Sequence, residues 1–276
     1  NMPENGHVMR NVVCAYARAV DAELAEWIAR SVTFPSTMVD RIVPAVTAET
    51  LEKIEQLTGV RDPAGVACEP FRQWVIEDNF SMGRPDWTLG GAVFSDEIER
   101  WESMKLRCLN GAHSTLAYLG QLSGRETVAD AMQSEFIVGV LDALWKEVGE
   151  VLDAPSGVDP ADYVASLRRR FCNPALKHRT LQIAMDGSQK LPQRLLAPLR
   201  ARLGRGLGLR RGGGGGALGC LLRFGHFLAG IIGTQAAGLG TPLAAAHIWA
   251  CPACQHEERR PVSQLASAGH CEQCNP

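Results

Sequence analysis

Over most of the chain up to about Leu199, apolar residues return every three or four positions, the period of helices with one buried face. Val8, Val12, Val13, Tyr16, Ala17, Val20, Leu24, Trp27 and Ile28 predict one long amphipathic helix from His7 to Arg30. Val32–Pro44, broken by Pro35 and Pro44, reads as extended or turn-like. Thr47 as a cap and Glu49 in the first turn predict a helix over Thr47–Leu57. Cys68–Phe80 mixes aromatic and β-branched residues and reads as a short strand or extended piece, after which Gly83–Trp87 turns the chain. Trp101–Gly120 is helical, with Met104, Cys108, Leu109, Ala112, Leu116 and Leu119 on its stripe. Glu126–Val151 and Pro160–Arg170 are helical by the same period. A further helix opens at Asn173-Pro174 and stops at Gly187. No βαβ alternation appears, so the predicted class is mainly α, without a nucleotide-binding sheet.

Polar residues on the Trp101–Gly120 stripe bring in chemistry. At 100° per residue Lys105 and His113 lie about 80° apart, and Asn110 and His113 are i,i+3 neighbours. One helical wall thus presents an amine, a carboxamide and an imidazole. A desolvated amine exchanges protons near neutrality, and an amide N–H steadies an oxyanion. The plainer alternative is an amphipathic helix with Lys105 solvated and His113 bonded at a core edge. Asp40-Arg41, between apolar residues, reads equally well as a structural ion pair or as site residues.

Charge divides the chain. Residues 1–186 carry 18 Lys and Arg against 27 Asp and Glu, a net −9, whereas residues 187–276 carry 10 against 3, a net +7. Gly187–His256 holds no acidic residue. With 46% apolar and 21% charged residues, the composition is that of a soluble globular protein. Cys14, Cys68, Cys108 and Cys172 lie in apolar segments and suit reduced core thiols of a cytoplasmic protein. No signal peptide is evident. Phe224–Trp249 lacks formal charge, but its Gly and Ala content with His226, Gln235 and Pro242 argues against a membrane span.

Two stretches carry a resemblance. Val32-Thr-Phe-Pro-Ser-Thr-Met-Val-Asp40-Arg41-Ile-Val-Pro44 resembles the signature of the mannitol dehydrogenase family of polyol and uronate dehydrogenases, and Met104-Lys105-Leu-Arg-Cys-Leu-Asn110-Gly-Ala-His113-Ser resembles its catalytic helix. Glu69–Phe80 and His178–Arg194 look most like the branch that reduces fructuronate. The resemblance runs from Asn1 to about Leu199. It implies that residues 1–199 are an all-helical substrate domain, similar to the second domain of 6-phosphogluconate dehydrogenase. Such enzymes carry an N-terminal Rossmann domain for NAD, here missing; the opening Asn1-Met-Pro-Glu-Asn5, mid-motif, likewise predicts sequence upstream.

By resemblance Lys105 is the general acid/base, Asn110 one arm of the oxyanion hole and Asn1 the other. His113 and Asp40 hold the substrate and the lysine's network, and Lys190 is a substrate-side lysine. Where the mannitol-oxidising branch carries an arginine and a histidine, this chain has Gln182 and Met185, which disfavours a neutral polyol. His178 and Arg179 then offer a cation for a uronate carboxylate, or are helix-surface charges.

The implied activity is interconversion of D-fructuronate and D-mannonate with NAD, and no metal is expected for catalysis. Mannitol or arabinitol 2-dehydrogenation is the alternative within the family. The expected partners are a sugar acid or polyol and the missing Rossmann domain, with neither nucleic acid nor membrane. The isolated chain is expected to be inactive.

After Leu199 the resemblance ends in an irregular Gly/Arg-rich tail, residues 200–276. Gly214-Gly-Gly216-Ala-Leu-Gly219 fits G-x-G-x-x-G, but it follows no strand and no acid lies about 20 positions on. Arg200–Arg211 has no interleaved aromatics for stacking on bases. Cys251-Pro-Ala-Cys254 and Cys271-Glu-Gln-Cys274 have the spacing of a zinc ribbon with four cysteine ligands. That pattern supports a second class of function, a non-catalytic helical module whose ribbon binds protein or nucleic acid. Against it, an acid-free Gly/Arg/Ala run is also what a reading-frame slip in GC-rich DNA yields, and an unstructured tail is the third possibility.

Overall fold

Asp21 splits the first predicted helix. Its backbone is extended, and its carboxylate accepts the amide N–H groups of Glu23 (2.9 Å) and Leu24 (3.1 Å), so α1 (Asn5–Val20) ends there and α2 (Ala22–Ser31) begins. The computed structural model describes residues 2–207 and, as backbone alone, strands at 247–250 and 257–260. The chain forms two compact units, one of residues up to Leu106 with Leu152–Arg170, the other of Arg107–Val151 with the residues from Phe171 on.

The first unit contains a three-stranded sheet, two strands of which lie in the segments read as extended, Val32–Pro44 and Cys68–Phe80, whereas the third was not predicted. β1 (Thr37–Asp40) pairs antiparallel with β2 (Gln73–Glu77), which pairs parallel with β3 (Ala92–Ser95). The register sets Asp40 opposite Gln73 and Trp74 opposite Ala92. The strands have only four or five residues, and loop with one 3₁₀ turn (Trp87–Gly90) rather than an α-helix joins β2 to β3, so the βαβ rhythm is absent although parallel pairing is present. Between β1 and β2, α3 (Ala48–Thr58) is capped by Thr47 and ends at Gly59, whose φ of 72° suits glycine. α4 (Ile98–Met104) lies against β1 and β2, with Met38, Val75, Ile76, Trp101 and Met104 in the core. Much of the expected apolar stripe of α1 and α2 is exposed instead: Val8, Val12, Tyr16, Val20, Leu24 and Trp27 face outward, while Cys14, Ala17 and Ala25 are buried.

The second unit is built around α5 (Gly111–Leu122), buried from Gly111 through Gly120. α6 (Val128–Ala131), α7 (Glu135–Gly149) and α9 (Thr180–Ala184) pack on it. Thr127 and Asp130 form a reciprocal capping box on α6, and Ser134 caps α7. α8 (Pro160–Phe171) spans the residues where the two units meet in the chain.

The helix expected from Asn173 to Gly187 is replaced by a 3₁₀ turn (Pro174–Leu176) and the short α9, and Gly187 starts α10 (Gly187–Leu191) rather than stopping a helix. The left-handed backbone of Lys177 (φ 44°) and Asp186 (φ 57°) breaks the expected helix, and Gly187 is held by space: a Cβ there would run into the Tyr118 hydroxyl, which donates to the Ala184 carbonyl at 3.1 Å. Gly187→Ala is therefore expected to cost about 1–3 kcal/mol, as overpacking does, read as a lower urea midpoint. The fold also continues past the expected boundary at Leu199. A π-helical segment (Pro192–Leu196) leads into α11 (Ala197–Gly204), whose Arg202 is buried, donates to the Glu147 carbonyl at 3.1 Å and pairs with Glu150.

Farther on, β4 (His247–Ala250) and β5 (Glu257–Arg260) pair antiparallel. Asn1, Cys251, Cys254, Cys271 and Cys274 lie outside the described residues. Among the described residues no helix is long and apolar enough to cross a membrane, and no three His, Cys, Asp or Glu side chains gather as a metal site. Cys14 and Cys108 are buried as expected, whereas Cys68 and Cys172 are exposed, and all four are free thiols. Burial pushes the Cys108 thiol up to about 12, which makes it a packing residue rather than a nucleophile.

Candidate active site

The helix predicted over Trp101–Gly120 changes pitch in its middle. Lys105–Asn110 is π-helical, between α4 and α5. A regular α-helix sets residues five apart about 140° from each other, whereas a π-turn closes through an i to i+5 hydrogen bond and aligns them. Lys105 and Asn110 open and close one such wide turn. Lys105 is 6% exposed, and Asn110 is half-buried with a carboxamide that caps no backbone N–H. Glu102, which the sequence reading passed over, lies three residues before Lys105. Burial pushes its carboxyl up, against the opposing hydrogen bond it accepts from the Glu4 amide at 3.1 Å.

In the second unit His113 is buried, its ring 4.8 Å from that of Phe171 and 5.2 Å from that of His178, to which it stands nearly perpendicular. His178 Nδ1 is buried without a hydrogen-bond partner, and burial holds the imidazole below its ordinary range. That environment favours a neutral ring over the cation expected for a carboxylate. The folded chain thus protonates His178 at lower pH than the unfolded chain. Between that depressed value and about 6.5 the unfolded state binds more protons, so stability falls as pH drops through this window. His178→Gln is expected to flatten that part of the pH–stability curve, measured by urea melts.

Arg179 is exposed, and its backbone bridges to Thr127. Lys190 Nζ donates to the Met185 carbonyl at 2.7 Å and lies 3.5 Å from the Asp186 carboxylate. Arg194, on the π segment that follows α10, donates to Ser114 Oγ at 3.1 Å.

Asp40 sits in the first unit, 1% exposed, at the end of β1. Its partner is not Arg41, which donates to the Glu69 carbonyl at 3.0 Å. Arg170 holds both Asp40 oxygens (2.6 and 3.0 Å) and both Glu69 oxygens (2.7 and 2.9 Å), and Tyr163 Oη donates to Asp40 at 2.7 Å. The Ile42 amide donates to Glu69 at 2.6 Å, and the Arg170 guanidinium lies 4.0 Å over the Phe71 ring. Asp40 is thereby a fixed member of a buried charge network. Its partners were within reach of the sequence: Tyr163, Leu167, Arg170 and Phe171 recur on one face of α8, so Arg170 stands on an apolar stripe rather than in a solvated basic run.

The family model described as the mannitol dehydrogenase Rossmann domain matches residues 1–89, and that of the mannitol dehydrogenase C-terminal domain matches residues 97–211. This corrects the expectation of a single all-helical substrate domain over residues 1–199 with no Rossmann part, and agrees with the parallel β2–β3 pairing. The chain is 61% identical over 204 residues to an uncharacterized oxidoreductase of Escherichia coli (strain K12), covering 74% of this chain and 42% of that protein. It is 55% identical over 207 residues to D-mannonate oxidoreductase of the same organism, covering 75% and 43%. Among solved structures, Pseudomonas fluorescens mannitol 2-dehydrogenase in ternary complex with NAD and D-mannitol matches at 37% identity and a TM-score of 0.68, over 75% of this chain and 42% of that one. The chain therefore spans less than half the length of these relatives.

Proposed function

The chain belongs to the mannitol dehydrogenase family, and from that premise we propose that it forms the substrate-side part of an NAD-dependent oxidoreductase interconverting D-fructuronate and D-mannonate. The observation that carries this reading is the buried Lys105 opening the π-turn that Asn110 closes, in a chain 55% identical over 207 residues to D-mannonate oxidoreductase. Reducing a ketone to an alcohol needs a donor at the carbonyl oxygen and an acid for the new alkoxide. The Asn110 carboxamide suits the first task, since it steadies negative charge without bringing a charge of its own. The Lys105 ammonium suits the second: it gives its proton to the alkoxide oxygen, and as the free amine it takes that proton back in the oxidative direction. His113 orients the sugar hydroxyls, Lys190 faces the substrate, and Asp40 acts through the network that fixes the end of β1.

NAD, when bound, carries the hydride. The amine and amide suit the oxygen end of that transfer, and we assign no residue of this chain to the nucleotide. The chain spans less than half the length of the relatives it matches, and we expect no NADH turnover from the 276-residue chain by itself. The test is a chimera in which the matched 43% of Escherichia coli D-mannonate oxidoreductase is replaced by the matching residues of this chain. The chimera is expected to oxidise NADH with D-fructuronate; failure to do so while folded, or turnover by the isolated chain, contradicts the proposal.

A further inference from the structure

Three arginines of the second unit are withdrawn from water, and two have evident reasons to be there. Arg202 pairs with Glu150, and Arg107 donates to the Val151 carbonyl at 3.1 Å, just past the C-terminal end of α7, where a positive charge is favoured. Arg194 differs. Among the described residues its one hydrogen bond is to the neutral Ser114 hydroxyl, and no carboxylate there pairs with it. It is half-buried; burial works against its charge, and a cation drawn from water without an anion is costly.

Its position bears on the site. Ser114 follows His113 directly on α5 and is 2% exposed, so the guanidinium is anchored one residue from a site histidine. Arg194 rides on Pro192–Leu196, one of two π-helical segments among the described residues, the other being Lys105–Asn110. Such segments are commonly found at functional sites. A guanidinium has five N–H donors in a planar fork, so four remain after the bond to Ser114. We propose that Arg194 receives the carboxylate of the sugar acid and so sets the preference for an acid over a neutral polyol, a role that rests on the fructuronate–mannonate reading above. It takes the place that His178, held towards neutrality, does not fill.

The test is calorimetric titration, for wild type and Arg194→Met, of the 276-residue chain with D-mannonate and D-mannitol and of the chimera with D-mannonate and NADH. Wild type is expected to bind D-mannonate on the order of tenfold more tightly than D-mannitol, the value of a charge-assisted hydrogen-bond pair. Arg194→Met should lose that preference while its D-mannitol affinity stays within about twofold. Arg194→Lys, which keeps the charge without the fork, should fall between. On wild type itself, phenylglyoxal labelling of Arg194, read by peptide mass, should be slowed by D-mannonate and not by D-mannitol.

An Arg194→Met chain that keeps its preference, or labelling indifferent to D-mannonate, overturns the role of Arg194 and leaves the sugar-acid reading standing. In the chimera, loss of NADH binding by Arg194→Met with D-mannonate binding intact also overturns it, because the anion is then a dinucleotide phosphate. A wild-type chain that binds D-mannitol as tightly as D-mannonate, or binds neither, overturns the sugar-acid reading and this inference with it.

Discussion

Replacing Lys105 by methionine in the chimera is expected to lower kcat for D-fructuronate reduction by roughly 10²–10⁴-fold, the usual contribution of a positioned general acid. Methionine keeps most of the volume of a side chain that is only 6% exposed, so the packing around the π-turn should survive. An unchanged urea midpoint would confirm that. Lys105→Arg separates charge from proton transfer: a guanidinium holds a positive charge but does not release its proton near neutral pH. The arginine variant is therefore expected to be nearly as slow as the methionine variant. Rescue to within tenfold of the parent by arginine would assign Lys105 an electrostatic part instead of a proton-transfer part.

Arg170→Met is expected to be the most destabilising single change in the described residues, by about 3–5 kcal/mol, the cost of removing one partner from a buried ion pair. Asp40 and Glu69 are 1% and 2% exposed and would both lose their cation. The guanidinium is held well above its ordinary range even though burial works to lower it, because its hydrogen bonds to the Asp40 and Glu69 carboxylates, with their charges, outweigh that burial. Adding Asp40→Asn and Glu69→Gln to Arg170→Met should recover part of the loss, since the carboxylates left unpaired are then neutral. Urea denaturation of all three proteins measures both effects. A loss below about 1 kcal/mol in Arg170→Met would mean that water or another cation serves those carboxylates.

The helices that declared themselves in the sequence were those whose local signals agreed with one another. Thr47 and Gly59 bracket α3, and the apolar repeats of α5, α7 and α8 recur in their buried faces. What stayed hidden depended on partners far along the chain or on space. β1 and β2 fall in segments read as extended, but what joins them into a sheet was not visible: four or five residues are too few to establish an alternation, and the pairing of β1 with β2 joins segments more than thirty residues apart. Asp21 lies within an apolar repeat that fits one helix as well as two, and only its backbone conformation shows the break. The π-turn at Lys105–Asn110 is invisible to a count of apolar spacings, because Met104, Cys108 and Leu109 fit either pitch. Gly187 looked like a stop by residue type, but its role is to leave room for Tyr118. Nothing in the apolar pattern marks Arg194, and only its half-burial and its bond to Ser114 set it apart.

The candidate site was legible as residue types in register on one helix. Its supporting network was legible only in part: Tyr163 and Arg170 share one face of α8, but Asp40 and Glu69 come from distant segments of the chain.

The most direct measurement is the ratio of kcat/KM for D-fructuronate to that for D-fructose, with NADH, in the chimera carrying this chain's matching residues. An acid-specific site that places its carboxylate on a half-buried arginine should favour D-fructuronate by on the order of 10² or more. Equal values for the two ketones, or a preference for D-fructose, would contradict the assignment and place the chain with the polyol-oxidising members of its family.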